Sequence, residues 1–337
     1  MATAAPSGGD IRADAAVHLR GRVREIARTR ARVARRVVGR EHELDLILAA
    51  VAAGRDLLLE GPPGASKSTL LRAIAAEWGI PVLFVEGNVD LTPAKLIGHH
   101  DPARVLQEGY RVDNFVDGPL VKAMRLGGFL YIEEFNRAPD DTRNALLTAM
   151  AEREIEIPRV GHLSAASTFR VVATMNPHDN VGTTRLSSSV TDRFNRVAVT
   201  YQDAADELRI VALRAPLADG DLPAELARAL RADAVDLTRA TRAHPDVRQG
   251  SSVRGAIDLT LVGANLMAMR GVSEAGGARL DHDPARQSYA ATVLDAMTVA
   301  LSGRIHLDEA VQTTPEAVLR EIWEDHFLLN PAAAKPG

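Results

Sequence analysis

The chain has 337 residues, with 40 Lys and Arg against 44 Asp and Glu, a formal net charge of -4 at pH 7, 46% hydrophobic residues and no Cys. That is the composition of a globular protein long enough for one large or two ordinary domains. It excludes disulfides, thiolate metal sites and thiol nucleophiles, and it gives no general attraction to nucleic acid or acidic lipid; with no run of about eighteen uncharged apolar residues, it predicts no membrane span and a cytoplasmic protein.

The first charged cluster lies between Arg20 and Arg36, where eight Arg accompany one acidic residue, Glu25, and Val23, Ile26 and Val33 keep a helical spacing. A targeting peptide, a nucleic-acid arm and a membrane-surface helix share this pattern. Because 36 of the 40 basic residues are Arg, an Arg run carries little information here, and the segment is expected to be a solvated helix or a contact to the neighbouring domain. No apolar stretch precedes a cleavage-like site, so a secretory signal is not expected.

From Val37 the pattern changes to short apolar runs, at Leu57–Leu59, Val82–Val85, Phe129–Ile132, Arg170–Thr174 and Arg196–Thr200, separated by segments long enough for crossover helices. Five such runs predict an α/β fold with a five-stranded parallel sheet covered on both faces. After Tyr201 strand signals cease and Ala-, Leu- and Arg-rich segments continue to about Leu329, as in an all-α domain. The expected organisation is an N-terminal extension over 1–36, an α/β core over 37–201, a helical domain over 202–330, and a frayed tail over 331–337.

The phosphate-binding signal is GPPGASKS, comprising Gly61, Pro62, Pro63, Gly64, Ala65, Ser66, Lys67 and Ser68, between the strand LLLE and an amphipathic helix. In that helix Leu70, Ile74 and Trp78 recur at four-residue spacing beside Leu71 and Ala75, and Gly79 supplies a stop. A Gly-rich turn entering a helix aims backbone N–H groups and the positive end of the helix dipole at one point, which suits a polyphosphate such as that of ATP. Lys67 is expected on the β- and γ-phosphates, Ser68 on Mg²⁺, and Thr69 near the α- and β-phosphates. Ser66 stands where Gly is usual, and a left-handed conformation there costs about 1 kcal/mol.

FLYIEE, ending in Glu133 and Glu134, supplies the acidic strand end that such a loop requires. Glu133 is expected to hold Mg²⁺ through water, and Glu134 to polarise the water that attacks the γ-phosphate. The next strand ends in Asn176, whose amide can donate to the γ-phosphate or orient that water.

VVGREHEL, LLLEGPPGASKSTLLRAIA, YIEEFNRAPDDTRNALLTAMAEREIEI, VVATMNP and SSVRGAIDLTL together resemble the AAA+ ATPases over about Val37 to Ile305, and specifically the MoxR-like branch with its relatives the magnesium chelatase ATPase subunit and the CbbQ, NorQ and GvpN proteins. The resemblance implies that Val38 and Gly39 lie by the adenine, that Asn176 is the sensor, and that Arg254 is the lid arginine reaching the γ-phosphate in cis. Arg193 is similar to the arginine such proteins present to the neighbouring subunit, with Arg185 and Arg196 as alternatives. It implies a homo-oligomer, usually a hexameric ring, beside a von Willebrand A domain partner and a client complex. The segment Asn88–Pro119 and the hairpin around Ile155–His162 become candidate pore or partner elements. Asn88, Asp90 and the His99–His100 pair invite a metal reading, but adjacent His residues do not share a helix face.

The leading expectation is thus Mg²⁺-dependent ATP hydrolysis that remodels, activates or inserts metal into a partner complex. A nucleic-acid motor of the same superfamily is the alternative, as is a ring subunit that binds nucleotide with little turnover. Against the motor stand the acidic net charge and 4% aromatic residues, without a stacking platform.

Overall fold

The computed structural model describes residues 25–177, 187–217, 222–274 and 284–329. The Arg185 alternative, the first part of the Arg-rich segment and the C-terminal tail lie outside the described residues. The chain divides into two compact units, residues 1–62 with 66–200, and residues 63–65 with 201–337. Among the described residues no helix is long and apolar enough to cross a membrane.

The first unit is built on a parallel sheet of β1 (Leu57–Glu60), β2 (Val82–Glu86), β5 (Phe129–Glu133), β8 (Arg170–Met175) and β9 (Asn195–Ala198), in the order β2-β5-β8-β1-β9. These are the five strands that the apolar runs predict, shifted by one or two residues at their ends. Successive residues of a strand point to opposite faces, and in the three inner strands β1, β5 and β8 both faces are buried. Leu58, Leu130, Ile132, Val171 and Ala173 pack with Leu120, Val121 and Met124 of one helix and Leu146 and Met150 of another, α3 (Pro119–Leu126) and α4 (Asp140–Glu152). Their alternates Leu57, Leu59, Phe129, Tyr131 and Val172 are also buried. The helices α1 (Glu41–Ala52) and α2 (Lys67–Trp78) also belong to this unit, and α2 buries the predicted stripe Leu70, Leu71, Ile74 and Ala75 before stopping at Gly79 with φ 63.

Two antiparallel hairpins stand off the sheet, β3 (Gly98–His100) with β4 (Phe115–Asp117), and β6 (Glu154–Ile157) with β7 (Gly161–Ser164). The second is the expected EIEIPRVGHL hairpin, and the first has strands of only three residues, too short to show a periodicity in sequence. The described end of the Arg-rich segment is helical over residues 25–33 and packs within this unit. Arg32 and Arg36 pair with Glu77, Arg30 pairs with Asp45, and Trp78 Nε1 donates to Thr29 Oγ1 at 2.9 Å.

The second unit is helical: α5 (Ala204–Arg214), α6 (Ala224–Ala243), α7 (Val253–Arg270), α8 (Pro284–Leu301) and α9 (Pro315–Glu324). Leu226, Leu230 and Leu237 of α6, Leu259 and Met267 of α7, Val293, Met297 and Leu301 of α8, and Leu319 and Ile322 of α9 form its core at helical spacing. The expectation that strands cease after Tyr201 needs one correction. Val247–Gln249 and His306–Leu307 pair antiparallel as β10 and β11, too short to give a sequence signal.

A buried carboxylate holds the starts of three core strands together. Asp56, 5% exposed, accepts from Val171 N–H at 2.8 Å and from Arg153 at 2.7 Å, while its own carbonyl accepts from Asn195 N–H at 2.9 Å. Burial raises the Asp56 pKa above its usual value even against the Val171 N–H and the Arg153 charge. A raised carboxyl pKa means that the folded chain takes up this proton before the unfolded chain does. Through this residue, stability therefore rises as pH falls through the window just above 3.8. Asp56→Ala, which strands the Val171 N–H and the Arg153 guanidinium, should lower stability by about 2 to 3 kcal/mol. Asp56→Asn, with one acceptor oxygen for two donors, should lose roughly 1 to 2 kcal/mol. Urea unfolding followed by circular dichroism checks both, and equal stability of Asp56→Ala and wild type would remove the clamp.

Candidate functional site

β5, β8 and β1 are hydrogen-bonded neighbours and run parallel, so their C-terminal ends share one edge. Glu133 and Glu134 stand at the end of β5, Asn176 follows β8, and Gly61 follows β1. Gly61 N–H donates to the Met175 carbonyl at 3.1 Å, which ties the loop to the residue before Asn176.

The loop itself has the shape that a polyphosphate requires. A Cβ at Gly61 would overlap the Val199 carbonyl oxygen, so only Gly lets the chain leave β1 along this path. Ser66 adopts the left-handed conformation expected of it, φ 64 and ψ 15. Lys67 folds its ammonium back to donate to the Gly61 and Pro62 carbonyls at 2.7 and 2.8 Å. No side chain caps the N-terminus of α2 and no acid lies in its first turn, so the helix presents its N–H groups and dipole beside that ammonium. Ser68 and Thr69 follow in the same turn, with Thr69 exposed. A cradle of N–H donors, one ammonium and two hydroxyls fits a phosphate chain, and Ser68 with Glu133 offers the hard oxygen donors that suit Mg²⁺.

At the acidic end, the Glu133 carbonyl accepts from Gly87 N–H at 2.7 Å, which pins the tip of β5 to the chain leaving β2. Glu134 turns left-handed, φ 51, with its N–H 3.4 Å from Thr174 Oγ1 and its carboxylate 3.1 Å from Arg137 Nε. Sequence reasoning missed Arg137, whose three-residue spacing becomes a contact only because Phe135–Arg137 forms a 3₁₀ turn. It also missed Tyr131. Burial foremost, with the Glu133 carboxylate adding and the Thr174 and Ser68 hydroxyls opposing, pushes the Tyr131 hydroxyl up to about 12, so it keeps its proton below the site.

Asn176 is half-buried, and Val38 and Gly39 are half-buried in the turn before α1, with Gly39 at φ 63. Arg193 is exposed in the turn before β9. Arg196 is tied to Glu60 of the adjacent strand β1, and that hydrogen bond raises its pKa. Within the second unit, Gly64 with φ +75 packs against the start of α7: a Cβ there would overlap Ser252 Oγ and lie 3.8 Å from Arg254 Cδ. Arg254 is itself exposed. His99 and His100 occupy successive positions of β3, and the His100 ring packs edge-on to Tyr110 and Phe115. Among the described residues no group of three or more His, Cys, Asp or Glu is arranged to hold a metal ion.

The family model described as "AAA domain (dynein-related subfamily)" matches residues 56–194, from Asp56 through the phosphate loop to the turn before β9. The chain is 30% identical over 235 residues to a protein of Ancylobacter aquaticus named "Gas vesicle ATPase GvpN", covering 63% of this chain and 61% of that one. It thus spans about 61% of that relative's length. It is 31% identical over 245 residues to the uncharacterised protein YeaC of Bacillus subtilis, covering 66% of this chain and 72% of YeaC. In fold it is similar to the solved P216G mutant of Thermotoga maritima RuvB, with a TM-score of 0.50 and 19% identity over 78% of this chain and 71% of that one. With a phosphate loop, an acidic strand end and a polar strand end on one sheet edge, and relatives of this kind along most of its length, the chain belongs to the MoxR-like AAA+ ATPases.

Proposed function

We propose that this protein hydrolyses ATP to ADP and phosphate with Mg²⁺, in a cytoplasmic ring in which each site is completed by a neighbouring subunit, and that the cycle remodels, activates or inserts metal into a partner complex. The observation that carries the reading is the convergence of the Gly61–Ser68 loop, the Glu133–Glu134 pair and Asn176 at the ends of three adjacent parallel strands.

Lys67 exchanges its two carbonyl acceptors for the β- and γ-phosphates, and the N–H groups at the start of α2 take the remaining phosphate charge. Ser68 directly, and Glu133 through water, would hold Mg²⁺, which when bound supplies positive charge to the phosphates. Glu134 accepts a proton from water as that water attacks the γ-phosphorus and the bond to the β–γ bridging oxygen breaks. Its contact with Arg137 competes with that task, so the carboxylate must leave Arg137 or share it when water is activated. Asn176 orients the water or donates to the γ-phosphate, Val38 and Gly39 border the adenine, and Arg254 reaches the γ-phosphate from the lid.

Arg193 is the arginine offered across the subunit interface. Its exposure in the turn before β9 supports this. A ring of six, a von Willebrand A domain partner and a client follow from the family resemblance, and the segment Asn88–Pro119 with the β6–β7 hairpin is the proposed contact surface.

Lys67→Ala should abolish ATP binding, whereas Glu134→Gln should bind ATP as wild type does and lose turnover by a factor of about 10² to 10⁴. A fluorescent ATP analogue and phosphate release measure the two quantities, and equal loss of affinity in both variants contradicts the separate roles. DNA added to the wild type should leave turnover unchanged; strong stimulation would favour the nucleic-acid motor.

Arg193→Ala should reduce turnover by about 10³ or more with nucleotide affinity nearly unchanged. Mixed with Glu134→Gln subunits it should regain part of the activity, because each variant supplies the half that the other lacks. A mixture as inactive as its components, or light scattering that shows a monomer during turnover, rules out a shared site.

A further inference from the structure

We infer that a buried ion cluster centred on Glu207 and Arg242 is the positioning element for Arg254, an inference that rests on the role proposed above for Arg254. Glu207 on α5 is 1% exposed and accepts from Arg242 at 2.7 Å and from Arg239 at 3.3 Å, both on α6. Arg242 then reaches past the carboxylate. Its Nε donates to the Ser251 carbonyl at 2.6 Å, and its guanidinium lies 4.0 Å over the Tyr201 ring. Arg239 donates to the Gln202 carbonyl at 3.1 Å.

The second anchor acts on the same residue from the other side. Ser251 N–H donates to Thr241 Oγ1 at 3.0 Å, and Thr241 donates to the Thr238 carbonyl at 2.6 Å. Ser251, Thr238 and Thr241 are all essentially inaccessible to water. Both main-chain groups of Ser251 are therefore fixed to α6. The next residue, Ser252, caps α7 by accepting from Arg254 N–H at 3.4 Å, and Arg254 lies in the first turn.

The Arg254 side chain is exposed, so what fixes its origin is its main chain, and that main chain is set by Ser251 and Ser252. A guanidinium has a rigid planar fork, and its Nε and Nη donors hold the Glu207 carboxylate and the Ser251 carbonyl in a set geometry that a single ammonium cannot reproduce. Burying the Glu207 carboxylate and most of the Arg242 guanidinium is costly, and apolar residues of similar volume often fill such a space without loss of stability. A role in placing α7 accounts for charged groups here where stability alone does not.

The test uses the full chain and two conservative variants, Arg242→Lys and Thr241→Val, each compared with Arg254→Ala and combined with it. The readouts are kcat, KM and the ratio of ATP to ADP affinity by competition with a fluorescent nucleotide. Thermal melting shows which variants fold, and Thr241→Val leaves every charge in place if Arg242→Lys does not fold. Arg254→Ala should lower kcat and the affinity ratio. Arg242→Lys should lower both in the same direction by roughly ten- to a hundred-fold, as a misplaced catalytic group does, and Thr241→Val by less. Neither should add to the loss in the Arg254→Ala background, because a positioning group has nothing left to position. Folded variants with wild-type kcat and affinity ratio overturn the inference, as does a loss that multiplies with that of Arg254→Ala. If Arg254→Ala itself changes neither quantity, the proposed role of Arg254 fails at its source, an outcome distinguishable from the other two.

Discussion

Parallel strands paired in register must deliver their C-terminal ends to a common edge, and the placing of the phosphate loop, the acidic pair and Asn176 depends on that constraint. Glu60 of β1 pairs with Met175 of β8, and Ile132 of β5 pairs with Ala173, so the chain leaves all three strands at nearly one level. Gly61, Glu133 and Asn176 are far apart in sequence, and no local interaction joins them. Their juxtaposition is a by-product of burying alternate residues of each strand on opposite faces, because a one-residue slip would turn Leu58, Ile132 and Ala173 out of their face of the core. The hydrophobic core thereby sets the position of the polar edge.

Two of the points where the chain leaves that edge are strained. Four non-Gly residues among those described have positive φ: Ser66 and Glu134 at the site, and Arg153 and Arg159 at the β6–β7 hairpin. At Ser66 the left-handed turn aims the N-terminus of α2 back across the loop, and at Glu134 it turns the carboxylate out of the strand. Each conformation costs on the order of 1 kcal/mol and persists only because its neighbours hold it. Gly61 N–H on the Met175 carbonyl and Gly87 N–H on the Glu133 carbonyl are two of those restraints.

The strands, the loop and the helix after it were legible because each leaves a local signature: an apolar run, a Gly/Pro turn, a stripe at four-residue spacing. Ser66 was legible for the same reason, since a residue in place of Gly announces its own backbone. Asp56, Arg137, Tyr131 and Glu207 were not. Each owes its environment to residues distant in sequence or to a short 3₁₀ turn, and a charged letter does not disclose whether its side chain is in water. The strands Gly98–His100 and Val247–Gln249 are too short and polar to stand out from loop sequence. The Arg-rich N-terminal segment shows the reverse case: a conspicuous charge run whose described part engages ordinary partners, Glu77 and Asp45.

The preference for Arg over Lys, uninformative as composition, has a physical use in the fold. Arg40 holds the Glu43 carboxylate and the Thr200 carbonyl at 2.7 and 2.6 Å; Arg153 holds Asp56 and the Phe169 carbonyl at 2.7 and 3.2 Å; Arg242 holds Glu207 and the Ser251 carbonyl at 2.7 and 2.6 Å. In each case one guanidinium joins a carboxylate to a main-chain carbonyl where a regular element ends or begins. Such carbonyls have left the ladder or helix that would satisfy them and need a donor from elsewhere. A Lys ammonium supplies donors from a single point and gives up its proton readily when buried, whereas Arg brings separate donors in a plane and stays charged. A structural guanidinium of this kind is consumed by its two acceptors, whereas an arginine proposed to act on phosphate from the lid, such as the exposed Arg254, must reach a ligand that comes and goes.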